Sequence, residues 1–420
     1  MMIYKMDHKV SYKIIVFTWN TESVGLCETM DYNIAEYNRT SYSNYIPGLT
    51  TWKYDCNIPD FYPKFVEFII KNNPDLIVIG FQEDRYPGSY FHSHLLTDEM
   101  PKIGYDLVKR TKLMGVGVTS YKGMLNGDLF ERGIRVSIYA KKILAHRIEK
   151  EEKEMRAVVG NDGQGEYLCS SFMIRGKGAT SSYIILPGIG RLAFICCHLP
   201  FNARSLITER IYKNKMIRQT EINHSNVCFN NIIENLVIFK DPQPTYVIYF
   251  GDFNYRIADP RPASEVAKDF CNKYNDPQFI HDIYVNYDEL YTQMKRGNIY
   301  DFSEGINNQG PSFIPTCKMI KGRTPGILNI SDNSDTDESS DDEIQYSICD
   351  DNKSENCIDE NYWNTGHYDQ RVPSWCDRIL YKKFGNDGPN IFCTYYNRFD
   401  VGTVMAKSDH AGVISVFELH

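Results

Sequence analysis

The chain predicts a layered α+β fold that carries its functional groups at strand ends, and three observations point there. Four apolar, largely β-branched or aromatic runs read as buried strands: Lys13-Ile-Ile-Val-Phe-Thr18, Asp75-Leu-Ile-Val-Ile-Gly-Phe81, Arg191-Leu-Ala-Phe-Ile-Cys-Cys197 and Thr245-Tyr-Val-Ile-Tyr-Phe250. Each hands over a polar group at its end, namely Asn20, Glu83, His198 and the Asp252/Asn254 pair. Between them lie amphipathic helical stretches and, over residues 105–190, short alternating runs suited to an antiparallel sheet. Polar groups gathered at strand ends are how layered β folds build a site on a rigid scaffold.

In order, the first strand ends in Trp19-Asn20, and residues 22–59 lack periodicity and read as a long loop. Asp60 is suited to cap a helix with Pro63 in its first turn and Phe61, Phe65, Phe68 and Ile69 on one face, stopped by Asn72-Asn73-Pro74. That helix feeds the second strand and Gln82-Glu83. Residues 147–167, charged and Gly-rich, read as a solvated loop. The third strand delivers His198, and a long surface helix is expected from Ser205 to about Glu234, with Leu206, Ile207, Ile211, Met216 and Ile217 facing inward. Helices are expected from Pro262 and from Asp288, the latter carrying Lys295 and Arg296 in its last turn, where the helix dipole favours cations. After Trp375-Cys376-Asp377-Arg378 and its strand, a polar loop leads to Ser408-Asp409-His410 and a last strand, Val413 to Phe417.

Composition narrows the class. A chain of 420 residues could hold two or three domains, but large two-sheet folds run this long as one unit. One domain over residues 1–420 is expected, with an acidic, Ser-rich, disordered insert at about 327–364. No run reaches the ~18 apolar residues of a membrane span, the start has no secretory apolar region and the end is no prenylation box. Twelve cysteines lack metal-ligand spacing, which suits free thiols in a reducing cytoplasm. Residues 331–360 carry −11 of the total −8, leaving a body of +3, too weak a cationic charge for a nucleic-acid binder.

The stretch Gly251-Asp-Phe-Asn-Tyr-Arg-Ile257 organises the chemistry. Asp252 and Asn254, two positions apart, point the same way if the chain stays extended, and a carboxylate beside an amide can polarise a water and grip a phosphoryl oxygen. Tyr255 and Arg256 add a hydroxyl and a planar cationic fork for a second phosphate. Taken alone, Gly-Asp-x-Asn reads equally as a turn after a strand, and Arg378 equally as a structural ion-pair partner or a phosphate contact. Trp375 and Cys376 read as packing.

The segments TWN (18–20), FQE (81–83), HLP (198–200), GDFNYRI, FIPTCK (313–318), RVPSWCDRIL (371–380) and SDH (408–410), in that order, resemble the inositol polyphosphate 5-phosphatases, a branch of the fold shared with DNase-I-type nucleases. The resemblance implies a four-layer αββα sandwich of two mixed, largely antiparallel sheets and a Mg²⁺-dependent hydrolysis of the 5-phosphate of an inositol head group. It implies Glu83, Asn20 and Asp409 on the metal side and Asp252 orienting or deprotonating the attacking water. Asn254 and His198 would hold the scissile phosphate, and His410, oriented by Asp377, would stabilise the charged transition state. Tyr255, Arg256 and Lys318 match positions that contact the neighbouring 4-phosphate. The partner implied is a phosphoinositide or a soluble inositol phosphate, met by a cytoplasmic monomer in passing contact with a membrane surface, with Phe201 a candidate lipid contact; no nucleic acid is expected. The chain departs from the family pattern at Asn202, Gly176-Lys177-Gly178, Cys317 and Met319. A nuclease of the same fold and a non-catalytic inositide-binding module are the alternatives. The second would predict loss of Glu83, Asp252, Asn254 or His410, and all four are present.

Overall fold

The computed structural model describes residues 11–21, 37–38, 51–52, 61–86, 99–118, 129–150, 155–158, 172–174, 177–200, 212–320, 363, 372–385, 388–399, 405 and 408–420. The acidic insert apart from Trp363, most of the 22–59 loop, the 205–211 start of the long helix, Asp60, Gly176, Phe201 and Asn202 lie outside them.

Sixteen strands are assigned among the described residues. They are β1 (Tyr12–Asn20), β2 (Tyr37–Asn38), β3 (Thr51–Trp52), β4 (Leu76–Tyr86), β5 (Tyr105–Val118), β6 (Leu129–Lys141), β7 (Glu149–Lys150) and β8 (Met155–Val158). Then follow β9 (Phe172–Ile174), β10 (Gly178–Leu186), β11 (Gly190–His198), β12 (Tyr246–Asp252), β13 (Ser303–Glu304), β14 (Asp377–Lys383), β15 (Ile391–Phe399) and β16 (Gly412–Leu419). One seven-stranded sheet runs β15-β16-β1-β4-β6-β5-β9, and a second runs β13-β14-β12-β11-β10-β7 with β8 also on β10. In each, a parallel pair at the centre (β1 with β4, β11 with β12) is embedded in antiparallel neighbours.

Alternation along the strands separates the layers. Ile14, Val16 and Val78 of the first sheet meet Phe194, Ile248 and Phe250 of the second in one core. The residues between them, Ile15, Phe17, Ile77 and Ile79, face helix α1 (Phe61–Asn72) through Tyr62, Phe65 and Ile69. On the far side Ala193, Ile195, Val247 and Tyr249 pack on helix α2 (Tyr212–Ile233) through Phe229, Ile232 and Ile233. The result is the αββα sandwich. Burying one such aromatic or branched side chain contributes about 1.5–3 kcal/mol, so the three clusters dominate stability.

The structure corrects the sequence-based reading in three places. The polar loop expected before Ser408 contains β15, an edge strand paired with β16. A bulge between Cys393 and Tyr395 shifts its inward phase to Cys393, Tyr396 and Phe399, which hides the period of two. A helix, α4 (Pro277–Tyr287), lies between α3 (Ala263–Asn272) and α5 (Glu289–Lys295); its signal in the sequence is Asp276, whose side chain caps Gln278 N and Phe279 N, with Pro277 at the first helical position. The 147–167 segment supplies β7 and β8 to the second sheet.

Candidate active site

Register brings the site together. In the second sheet His198 lies opposite Asp252, and Asp252 opposite Asp377, so three adjacent strands present one polar residue each at one level. Gly251 makes that level possible: its φ is +131°, and a Cβ there would run into the backbone oxygen of Cys197. Asn20 ends the parallel strand of the other sheet and crosses the gap, donating Nδ2 to Asp252 Oδ2 at 2.9 Å.

Glu83 arrives by a distortion. The β4–β6 register slips between Phe81 and Asp84, and Glu83 adopts φ +51°. Such a bulge re-aims a side chain, and a non-glycine residue with positive φ costs of order 1–3 kcal/mol. Glu83 Oε1 thereby lies 3.7 Å from His198 Nε2, which is also 3.3 Å from Asp252 Oδ2. Asn254 is a second such residue, with φ +57°. Its backbone N–H donates to Asp252 Oδ1 at 3.0 Å, its Nδ2 donates to Leu199 O, and its Oδ1 accepts from Arg256 Nη2 at 3.0 Å.

The last two groups come from the C-terminal part. Asp377 Oδ2 accepts from Thr316 Oγ1 at 2.8 Å and lies 2.9 Å from His410 Nδ1. The 408–410 loop is tied to β1 by Trp19 Nε1 donating to His410 O and Ser408 Oγ donating to Asn20 O. Asp409 pairs with Lys318 at 3.4 Å, and its other oxygen lies 3.7 Å from His410 Nε2.

Charge follows from these contacts. Burial opposes ionisation of Asp252, but the His198 hydrogen bond and the charges of His410 and Lys177 outweigh it and hold the carboxyl well below its usual range. Burial and the neighbouring Lys177 push His198 down, keeping its imidazole neutral. Burial disfavours charge on His410 too, yet the Asp377 carboxylate and Cys317 overcome it and raise the imidazolium well above the ordinary value. The site therefore holds a neutral histidine on one side of an ionised Asp252 and a cationic one on the other.

Asn20, Glu83, His198, Asp252, Asn254, Arg256, Lys318, Asp377, Asp409 and His410 converge. Tyr255 does not, and its assignment to a phosphate is corrected: the side chain is 1% exposed and its hydroxyl donates to Asn226 Oδ1 at 2.8 Å under α2. Period-two alternation puts it opposite Arg256. Arg378 is a structural ion-pair partner, fully buried against Asp288 and Glu304. Lys177, whose Nζ contacts His198 Nε2, belongs to the site although the sequence alone does not reveal its role. Its signal is a cation at the start of a strand whose Gly178 pairs with His198. Cys169 stands six positions before Arg175, the spacing of a cysteine-dependent phosphatase loop. Of this stretch the described residues are 172–174, which pair as β9 with β5; Cys169 and Arg175 themselves lie outside the described residues.

A divalent cation suits this donor set. Ligand atoms of Asp252, Asp377 and His410 lie within 4.8 Å of one another, His410 there being the cationic partner of Asp377 and not a ligand, and Glu83 Oε1 is held 3.7 Å from His198 Nε2 by its strained φ. Asn20, Glu83 and Asp409 add an amide and two carboxylates, the hard oxygen donors that Mg²⁺ or Ca²⁺ takes.

The comparisons with known proteins fit this geometry. The type IV inositol polyphosphate 5-phosphatase 11 of Arabidopsis thaliana is 26% identical over 368 residues, 87% of this chain and 80% of that protein. Among solved structures, the inositol polyphosphate 5-phosphatase domain of SPsynaptojanin, in complex with inositol (1,4)-bisphosphate and calcium ion, superposes with TM-score 0.52 at 18% identity, covering 98% of this chain and 84% of that one. The Cimex nitrophorin ferrous NO complex gives TM-score 0.52 at 14% identity, covering 98% and 99%. These structures show the fold alone, and a fold hosts more than one function. The family model of the Endonuclease/Exonuclease/phosphatase family 2 matches residues 18–338 and 353–416. Matched over most of its length, the chain belongs to the endonuclease/exonuclease/phosphatase family 2.

Proposed function

We propose that the chain is a phosphoric monoester hydrolase that removes the 5-phosphate of an inositol head group by in-line attack of a water. The observation that carries this is the row of His198, Asp252 and Asp377 on adjacent strands, with Asp252 ionised between a neutral and a cationic histidine. The 5-phosphatase relative supports the substrate class. Asp252 is the group that accepts the water's proton, since it alone joins Asn20, His198 and the Asn254 N–H. His410 stays protonated on Asp377 and offers positive charge to the phosphoryl oxygens as charge develops. Arg256, fixed by Asn254, and Lys318 flank the site where a second phosphate would lie. Glu83, with Asn20 and Asp409, would hold a Mg²⁺, which would supply Lewis-acid stabilisation of the phosphoryl oxygens. The head group is presented by a phosphoinositide at a cytosolic membrane surface or by a soluble inositol phosphate.

Phosphate release from 4,5-bisphosphorylated phosphoinositide vesicles and from soluble inositol 1,4,5-trisphosphate tests this. Release from the 5-position is expected with Mg²⁺ and its loss with EDTA, and the ratio of the two substrates reports the contribution of the surface. No release from either, with cleavage of abasic or duplex DNA instead, would move the chain to the nuclease reading.

The Asp377–His410 pair sets the alkaline limit of activity. A raised imidazolium pKa keeps His410 charged below its folded value and discharges it as pH rises through that value. In Asp377→Asn the main raising partner is gone, so the alkaline limb of kcat against pH is expected to move toward acid by at least about one unit. An unshifted limb would show that His410 does not act as the charged form.

A further inference from the structure

The strained backbone at Glu83 is gripped from both neighbouring strands, and the hydrolytic mechanism uses neither grip. In the β4–β6 ladder Phe81 lies opposite Arg135 and Asp84 opposite Gly133, so Gln82 and Glu83 together face one residue, Ile134. Directly opposed residues of an antiparallel pair share a face, which puts Asp84 and Arg135 on the face of Phe81. Gln82 and Glu83 both turn to the other sheet, Gln82 Nε2 donating to Cys196 Sγ at 2.9 Å and Glu83 Oε1 reaching His198 Nε2 at 3.7 Å. Two successive side chains share a face only where a strand bulges. Just past the bulge Arg135 Nη2 pairs with Asp84 Oδ2 at 2.6 Å, both side chains almost wholly buried. From the other side, at the end of β1, the buried Thr21 donates its N–H to Gln82 O at 2.9 Å. Its hydroxyl donates at 3.2 Å to Gln82 O and at 3.2 Å to Glu83 O. Successive carbonyls of a regular strand point to opposite sides, so one hydroxyl reaches both only in the bulged form.

We propose that Thr21 and the Asp84–Arg135 pair are positioning residues for Glu83, locking the bulge that presents its carboxylate to a divalent cation. The inference rests on Glu83 being a cation donor, as in the proposed function. A residue in a sparsely populated backbone conformation stays there only when its surroundings over-determine it, and Glu83 has φ +51°. A regular β4 would put Glu83 on the face of Phe81, away from His198, because side chains alternate. Thr21 closes that route by holding the two carbonyls in the bulged arrangement, and the Asp84–Arg135 pair closes it by fixing the strand immediately beyond. Thr21 also follows Asn20 directly, so one residue couples the two strand ends that carry candidate donors. Partners that orient a ligand in this way govern metal affinity by about 10–100-fold.

The probe is Mn²⁺, which takes the same oxygen donors as Mg²⁺, added to the full-length chain and followed through the free-ion signal in electron paramagnetic resonance. Glu83→Gln separates the site from the acidic insert, since the binding it abolishes is the site's. Thr21→Val keeps the side-chain shape and removes the hydroxyl; Thr21→Ser restores it. The expected result is a site affinity about tenfold weaker in Thr21→Val and within about twofold of wild type in Thr21→Ser. Asp84→Leu combined with Arg135→Met removes the pair without stranding a charge, so the chain should fold, and a similar loss of affinity is expected. Urea unfolding without Mn²⁺ reads stability separately. A lower urea midpoint with unchanged site affinity would make these residues merely structural and overturn the proposal. An equal loss of affinity in Thr21→Ser would overturn the role of the hydroxyl. If wild type and Glu83→Gln bind Mn²⁺ alike, the cation reading of Glu83 fails and the proposal with it. Binding that Glu83→Gln abolishes but Thr21→Val and the double variant leave intact sinks the positioning role alone.

Discussion

Asp252→Asn is expected to lower kcat/KM for the inositol phosphate by about three orders of magnitude while leaving the fold in place. The loss corresponds to about 4 kcal/mol of transition-state stabilisation. Asparagine matches the carboxylate in shape, and its remaining oxygen still accepts the Asn254 N–H that is bonded at 3.0 Å. What disappears is the base. The wild-type carboxyl is held ionised against burial by His198, His410 and Lys177, and an amide cannot take a proton from water at any working pH. The new NH₂ also faces Asn20 Nδ2 or His198 Nε2, so one buried hydrogen bond is lost at about 1 kcal/mol, a cost read separately by urea denaturation. A variant within tenfold of wild type in kcat/KM would remove Asp252 from the role of base. A variant that loses activity only in step with its stability would make Asp252 structural.

Most of this geometry is legible because side-chain identity at the end of a buried strand survives folding. Once β1, β4, β11 and β12 are recognised as strands, the parallel pairings alone bring Asn20 near Gln82 and His198 beside Asp252. The family resemblance adds Asp377 and His410, which no periodicity would connect across 33 residues. What the sequence does not show depends on departures from regular structure. Glu83 is named from the sequence, but the bulge and positive φ that bring it to the site are not visible there, and β15 hides behind another bulge. The phosphate role expected of Tyr255 fails because the chain after Gly251 keeps alternating, which sends Arg256 to the site and Tyr255 under α2 to Asn226. The ambivalence of Arg378 is settled only by its partners, which come from 74 and 90 residues away.

Those partners make Arg378→Met the substitution with the largest expected effect on stability, about 3–5 kcal/mol at neutral pH. Arg378 is wholly buried, donates Nε to Glu304 Oε1 at 2.5 Å and Nη1 to Asp288 Oδ2 at 3.0 Å, and bonds Glu304 Oε2 through Nη2. Methionine fills much of the volume but leaves two buried carboxyl groups without a counter-charge. The loss should depend on pH, with a sign fixed by Asp288. Burial already pushes Asp288 up to about 6 although Arg378 pulls against it, and removing the arginine raises it further. An acid whose folded pKa lies above its unfolded one binds more protons when folded, so its penalty is absent below the unfolded value and grows as pH rises above it. The stability deficit of Arg378→Met relative to wild type is therefore expected to be small near pH 4 and to widen toward pH 8, in urea titrations at each pH. A deficit independent of pH would mean that lost packing, not stranded charge, is the cost. Because Asp377 and Cys376 precede Arg378, and its Nη1 also donates to Trp375 O at 3.2 Å, the same arginine fixes the start of the strand that carries Asp377 to His410. Conservative repair should separate the two effects. Adding Glu304→Gln and Asp288→Asn to Arg378→Met removes both stranded charges. The amide oxygen that Asp288→Asn introduces can still cap Tyr291 N as the carboxylate does, so most of the stability should return. Activity should recover with it if Arg378 acts on the site only by holding β14 in place, and should stay low if the guanidinium itself is needed there.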